Sequence, residues 1–281
     1  NGIYHYKLSV NDTLTAEIKL DQISFNETKD INTLIDYPHL IKNRERIVQI
    51  FQQNKKTLSI FKSLKNKGII SLKPRETIDV RLELIDLHGN NIRIEIPVMG
   101  TLNEAIVKKT LFKTPFPVLF KNPAHYKLTH GSLYFPANSF YEDVYLNLET
   151  SRDTIKVHKP MWAVKKPFTL SFNSENSAFS KYSYIAYRLG SKSFIYSSTK
   201  KEGEWLSTKT NKLGTYVIQQ DSIPPSIRPK NFKGNQNIRN YQFLSLEIKD
   251  QETGIDTYTG SLNGEWILME YEPKTNTLTH H

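Results

Sequence analysis

Eight histidines, 28 Asp and Glu and no cysteine are the residues from which a metal centre or an acid–base pair would have to be built. Zinc needs two or three imidazole or carboxylate ligands brought together, and their local signatures are His-x-His, His-x-x-x-His and His-x-x-x-Asp. None occurs: the residues four beyond His5, His39, His88, His125, His130 and His158 are Ser9, Asn43, Ile92, Thr129, Tyr134 and Trp162. His125 and His130 lie five apart, in the manner of surface or turn histidines, and the terminal His280-His281 implies no chemistry. Gly131-Ser132, Gly190-Ser191 and Gly260-Ser261 lack the second glycine of a nucleophile elbow. Adjacent Glu142 and Asp143 would point to opposite faces of a strand and cannot flank one bond, so they read as solvating a strand entrance. No phosphate loop or dinucleotide fingerprint is present. The sequence therefore predicts no catalytic, cofactor-binding or metal-ligating residue and no cofactor.

Two weaker patterns remain. Asp86, Asp250 and Asp256 sit in turn-like stretches of the kind that hold calcium in secreted β-modules, but calcium needs six or more oxygens and these are isolated carboxylates. Asp12-Thr13-Leu14, Asp153-Thr154-Ile155 and Asp221-Ser222-Ile223 resemble the Asp-Ser/Thr-apolar acceptor of O-glycosylation systems in some envelope-rich Gram-negative bacteria, which would make Thr13, Thr154 and Ser222 modification sites. Asp followed by Ser or Thr is also ordinary turn chemistry, and that is the preferred reading. Trp162, Trp205 and Trp266 could stack on sugars or bases, yet their apolar, alternating surroundings predict core positions.

The elements that would carry these residues are short strands. Runs at 3–10 and 14–20 flank Asn11-Asp12-Thr13 as a hairpin. Further strands are expected at Leu58–Phe61, Ile69–Leu72, Ile78–Leu84 and Ile92–Val98, with a turn at Asp86 to Asn90. Between them, Leu40, Ile41, Arg44, Ile47, Val48 and Phe51 recur at helical spacing and predict one helical insertion near 40–53. A second set covers Leu133–Phe135, Val144–Leu148, Phe168–Phe172, Tyr184–Leu189, Phe194–Ser197 and Gly214–Ile218; a third contains Phe243–Ile248 and Trp266–Tyr271. Pro224-Pro225 marks a stiff linker before the third set.

The expected fold is all-β: tandem Ig-like β-sandwich modules with one helical insertion in the first. Residues 1–99 make the first module, 100–221 a second, basic one, and 222–281 a third, partial and incomplete at His281, since some 60 residues fall short of the ~100 of a full sandwich. The chain has 38% apolar residues, 15 Tyr and 14 Phe, which fits a folded rather than disordered protein. It contains no apolar run of about 18 residues. The opening Asn1-Gly2-Ile3-Tyr4 runs straight into a strand pattern, which predicts that it continues a longer gene product. Absence of cysteine fits an envelope or secreted protein. The net charge of +10 is concentrated in residues 100–221, with 17 Lys and Arg against 9 Asp and Glu. Such a surface attracts anionic polymers only weakly and non-specifically.

Several blocks, taken in order, resemble the non-catalytic C-terminal β-sandwich region that follows the peptidase domain in Gram-negative lysostaphin-like zinc metallopeptidases, the peptidoglycan endopeptidases. They are Ile23-Ser24-Phe25-Asn26-Glu27-Thr28 with Asn32-Thr33-Leu34-Ile35-Asp36-Tyr37; Gly68-Ile69-Ile70; Asp86 to Asn90; Leu213-Gly214-Thr215-Tyr216-Val217; and Leu262-Asn263-Gly264-Glu265-Trp266-Ile267. The resemblance implies a zinc metalloendopeptidase as the parent protein, with zinc held by a His-x-x-x-Asp pair and a later His-x-His in a domain preceding Asn1. This chain carries none of those residues and would itself be no enzyme. Its partners would be the catalytic domain in cis and, beyond it, cell-wall glycan or outer-membrane proteins, with no nucleic acid; its place would be exported, periplasmic, outer-membrane-associated or at the cell surface. The same modules would serve a stand-alone structural or interaction subunit of an outer-membrane or cell-surface assembly equally well. A glycosidase on a sandwich would need two carboxylates in one cleft, which spacing does not display.

Overall fold

The computed structural model describes residues 2–52, 58–102, 113–174 and 179–281. Its architecture is all-β, built of antiparallel sheets with little helix. In the first, β1 (Ile3–Val10), β2 (Thr13–Lys19), β3 (Phe61–Leu64), β4 (Thr77–Asp86) and β5 (Asn91–Met99) stand in the order β3-β2-β1-β4-β5. The β1–β2 turn follows from its residues: Asn11 and Asp12 have φ of 46° and 61°, the double left-handed geometry of a tight hairpin that Asn and Asp tolerate.

The layer facing this sheet comes from the insertion between β2 and β3. It holds 3-10 turns at Phe25–Glu27 and Asp30–Leu34 and one short helix, α1 (Tyr37–Asn43). Ile18, Leu34, Leu58, Ile60 and Phe61 form the core between the layers. Buried Glu27 secures it, accepting from the Ser59 hydroxyl at 2.5 Å and from Ser59 N–H at 3.3 Å.

The expected helix over 40–53 is corrected to 37–43; Gln53 lies outside the described residues. Asp36 caps the start by accepting from His39 N–H at 3.0 Å, and Pro38 occupies the first turn. Arg44, at φ 62°, ends the helix in the left-handed conformation, after which Val48 bridges to Ile35 in extended backbone. Ile47 and Val48 are exposed, so their helical spacing marks no buried face. Ile69–Leu72 is likewise not a strand: the 3-10 turn at Lys65–Gly68 feeds it, with Asn66 and Lys67 at positive φ and Asn66 Nδ2 donating to Ile69 O. The strand expected at Leu58–Phe61 begins only at Phe61.

The central sandwich has two five-stranded sheets. Its strands are β6 (Phe116–Val118), β7 (Ala124–Leu128), β8 (Gly131–Phe135), β9 (Val144–Leu146), β10 (Leu148–Ser151), β11 (Thr154–Val157), β12 (Phe168–Asn173), β13 (Ser183–Arg188), β14 (Phe194–Ser197), β15 (Thr199–Glu202), β16 (Trp205–Thr210) and β17 (Gly214–Gln220). One sheet runs β10-β11-β17-β13-β14, the other β15-β16-β12-β8-β7, and β6 pairs with β9. Period-two alternation makes the core: Phe168, Leu170 and Phe172 point inward from β12 against Leu133, Phe135, Ile155, Val157 and Leu206, all fully buried. Phe135 stacks on Phe168 with centroids 4.7 Å apart.

The last strands, β18 (Ser226–Pro229), β19 (Leu244–Lys249), β20 (Gly260–Leu262), β21 (Glu265–Ile267), β22 (Glu270–Glu272) and β23 (Thr277–His280), form a β18-β19-β23-β22 sheet and a β20–β21 hairpin over a small core of Ile248, Met269 and Leu278. The clean alternation of Trp266–Tyr271 is therefore two strands in different sheets, broken where Met269 turns inward beside exposed Leu268.

Candidate functional site

The side chains that converge on a concavity are those of the central sandwich. A groove of about 390 Å³ opens where β13 and β14 meet the β16–β17 turn, lined among others by Pro167, Tyr187, Tyr196, Lys209, Asn211 and Lys212. Each wall has a local cause. Gly214 starts β17 at φ 141°, and a Cβ there would lie 2.7 Å from the Tyr187 hydroxyl, so the glycine lets Tyr187 lie against the turn. Tyr187 OH donates to Leu213 O at 3.1 Å. Buried Tyr216 donates to Lys212 O at 2.6 Å and shares a 2.7 Å bond with the Thr210 hydroxyl, while Lys212 N–H donates to Thr210 Oγ1 at 3.2 Å. The turn carrying Lys209 to Lys212 is thus fixed from beneath by tyrosine.

Electrostatically the groove favours anions. No carboxylate is among its lining residues, and Lys212 Nζ rests 5.7 Å above the Tyr187 ring. Burial pushes the Tyr187 and Tyr216 phenols above their ordinary range, so both remain neutral hydrogen-bonding groups at physiological pH. Two aromatic faces, two ammonium groups and an amide can stack on a sugar ring and pair with carboxylates; they contain no nucleophile–base pair.

Residues singled out from the sequence are not brought to this groove. His125 lies in β7 with its ring edge-on to Tyr134, whereas His130 lies in the β7–β8 turn; three strand residues, roughly 10 Å, separate Ala-side from turn-side positions of that hairpin. Asp86 accepts from His88 N–H, Asn90 N–H and Asn90 Nδ2, and this last bond chiefly holds its carboxyl below the usual range. Asp250 accepts from three successive N–H groups, those of Glu252, Thr253 and Gly254. Both carboxylates are occupied in turns, and Asp256 is exposed. Asp143 accepts from Phe120 N–H at 2.8 Å beside exposed Glu142, off any strand. Among the described residues no group of three or more His, Asp or Glu could hold a metal. Thr13 and Ser222 are exposed, while Thr154 is half-buried and its hydroxyl bonds Asp153.

The expectation that all three tryptophans are core is corrected. Trp162 packs against the sandwich core and stacks on His158 at 4.6 Å, but Trp205 is 40% and Trp266 69% exposed. Each of these two lies on the solvent side of a two-faced strand, which alternation does not distinguish from the inner side. The groove residues themselves went unnoticed in the sequence; the local signal was Lys209-Thr210-Asn211-Lys212 directly before Leu213-Gly214.

Residues 118–221, from the end of β6 to just past β17, match the model of the Zu5-like domain family, a β-rich domain. The match covers the central sandwich and the groove. No curated protein and no solved structure matches the chain.

Proposed function

We propose that this chain is a non-catalytic accessory region of a cell-envelope zinc metallopeptidase acting on peptidoglycan, and that it positions or targets a catalytic domain held in cis. The observation that carries the reading is the groove, whose tyrosines and lysines suit a glycan bearing carboxylates. The ordered sequence blocks support the same family: one of them, Leu213 to Val217, follows the groove's turn into β17 and holds it from beneath through Gly214 and Tyr216, and another, Ile23 to Tyr37, builds the layer over the first sheet. Zinc and the hydrolytic step belong to the catalytic domain; the residues here bind and orient. The chain's place is then the exported compartment where peptidoglycan lies.

The test is co-sedimentation of the full 281-residue chain with purified peptidoglycan sacculi. Binding is expected, weakening with added salt and falling about tenfold when Lys209 and Lys212 are both changed to Ala, as removal of two cations facing a polyanion should produce. Unchanged thermal melting of that variant confines the effect to the surface. Absence of binding, or binding indifferent to the two lysines, overturns the proposal.

A further inference from the structure

The outer edge of β5 carries information that the groove does not. β5 ends its sheet, and among the described residues no strand pairs with its far side. Gly100 N–H donates to Glu76 O at 2.8 Å, continuing the β4–β5 ladder. By alternation the even-numbered residues of β5 turn their backbone groups to β4, and the odd-numbered Arg93, Glu95 and Pro97 turn theirs to the open edge. Pro97, which has no N–H to give, therefore sits where a strand tolerates it. On one face Ile92, Ile94 and Ile96 are 58%, 41% and 45% exposed, opposite Leu84, Leu82 and Val80 of β4. On the other face Arg93 and Glu95 alternate with them. Glu95 accepts from Arg93 and from Arg81 Nε at 3.3 Å, and Arg81 pairs onward with Asp12.

Exposed edges are usually blunted by charge or by proline. Here the two charges have opposite sign and flank one residue, so the strand is complementary to itself. We propose that the chain self-associates through β5, two copies pairing edge to edge and antiparallel about a two-fold axis at Ile94. That register sets Ile94 opposite its own copy, Ile92 opposite the other copy's Ile96, and each Arg93 opposite the other Glu95. Pro97 falls opposite Asn91 of the other copy and confines full backbone pairing to the stretch around Ile92–Ile96. Arg93 and Glu95 are then the backbone-bonded pairs, and the isoleucines fall in the non-bonded pairs where side chains approach most closely. The charge line Asp12–Arg81–Glu95 continues into the second copy. A two-fold axis moved to residue 93 or 95 would set Arg against Arg or Glu against Glu, and a slip by one residue would set isoleucine against charge. The pattern selects one register and one occupant, a second copy of this chain.

Sedimentation velocity of the full chain tests this without reference to any glycan. A single strand pair is a small interface, so a dimer dissociating at about 1 to 100 µM is expected. Arg93→Glu and Glu95→Arg should each weaken it by about tenfold or more. Mixed in equal amounts, the two variants should recover a dimer, because each supplies the charge the other needs. Amide exchange of the unaltered chain gives a second readout: Arg93 and Glu95 N–H should slow as concentration rises while their even-numbered neighbours, already bonded to β4, do not change. A monomer at ~200 µM, single variants that dimerise like the unaltered chain, a mixture that fails to recover, or amide exchange independent of concentration overturns the proposal.

Discussion

His158 shows how one side chain can set a pH response. Its backbone lies at φ 54°, its ring stacks on Trp162, and its Nδ1 accepts from Asn147 N–H at 2.9 Å, so the neutral ring carries its proton on Nε2. Nε2 is buried and has no hydrogen-bond partner among the described residues. Burial, then Lys159 and Lys156, hold the imidazole below its ordinary value. The unfolded chain takes up a proton near pH 6.5, the folded chain only at lower pH, so the unfolded state binds more protons between those values. Stability is full above about pH 6.5 and falls as pH drops toward the folded value. His158→Asn, which keeps an acceptor and tolerates left-handed backbone, should show a shallower loss between pH 7 and 5 in urea titrations. Equal slopes for the two proteins would show that His158 does not couple protonation to folding.

Among elements, the turn closed by Asp250 makes the most specific claim. One carboxylate oxygen accepts three successive N–H groups between β19 and the segment leading to β20, and neighbouring Thr253 donates to Asp221, whose carboxyl this bond chiefly holds below its usual range. Asp250→Ala removes the shared acceptor and should lower stability by about 1 kcal/mol, with water replacing part of what is lost. Asp250→Asn keeps an acceptor and should recover most of it; two variants equally destabilised would assign the effect to charge instead. Such turns were legible in the sequence, as were Asn11-Asp12 and the strands of β4, β5 and β12, because turn chemistry and period two act locally. The helix was misplaced because its ends are set by the Asp36 cap and the left-handed Arg44, not by the spacing of Ile47 and Phe51. The groove was illegible for a different reason: Pro167, Tyr187, Tyr196 and Lys212 come from four separated segments that only the strand order β17-β13-β14 and the β16–β17 turn bring together.

At the scale of the molecule, two sets of contacts among the described residues link neighbouring sheets. Toward the C-terminus, Thr253 reaches Asp221 and Glu252 accepts from Ser222 N–H, bracketing the Pro224-Pro225 segment. Toward the N-terminus, Lys165 Nζ meets Asp30 at 2.6 Å and lies 5.1 Å over the Tyr141 ring, while Tyr141 OH donates to Lys29 O at 2.6 Å. Burial and the nearby Asp30 push the Tyr141 phenol up to about 12, so it remains a donor at any physiological pH. Asp30 is the more enclosed member of the ion pair, and removing Lys165 would leave its carboxylate facing a partner that no longer exists. The covalent connection between these layers passes through residues 100–115, and among the described residues these ion-pair and hydrogen-bond contacts stand beside Tyr37 of α1, which lies near Tyr187 and Tyr216 of the sandwich. Tyr141→Phe combined with Lys165→Ala should uncouple the first sheet from the central sandwich, at about 1 kcal/mol for each lost interaction. Calorimetry should show an early transition separating from the main one in the double variant, while the sandwich, held by Phe135, Phe168 and Phe172, keeps its melting temperature. A double variant that melts in the same single step, at the same temperature as the unaltered chain, would show that the two layers are coupled by other contacts.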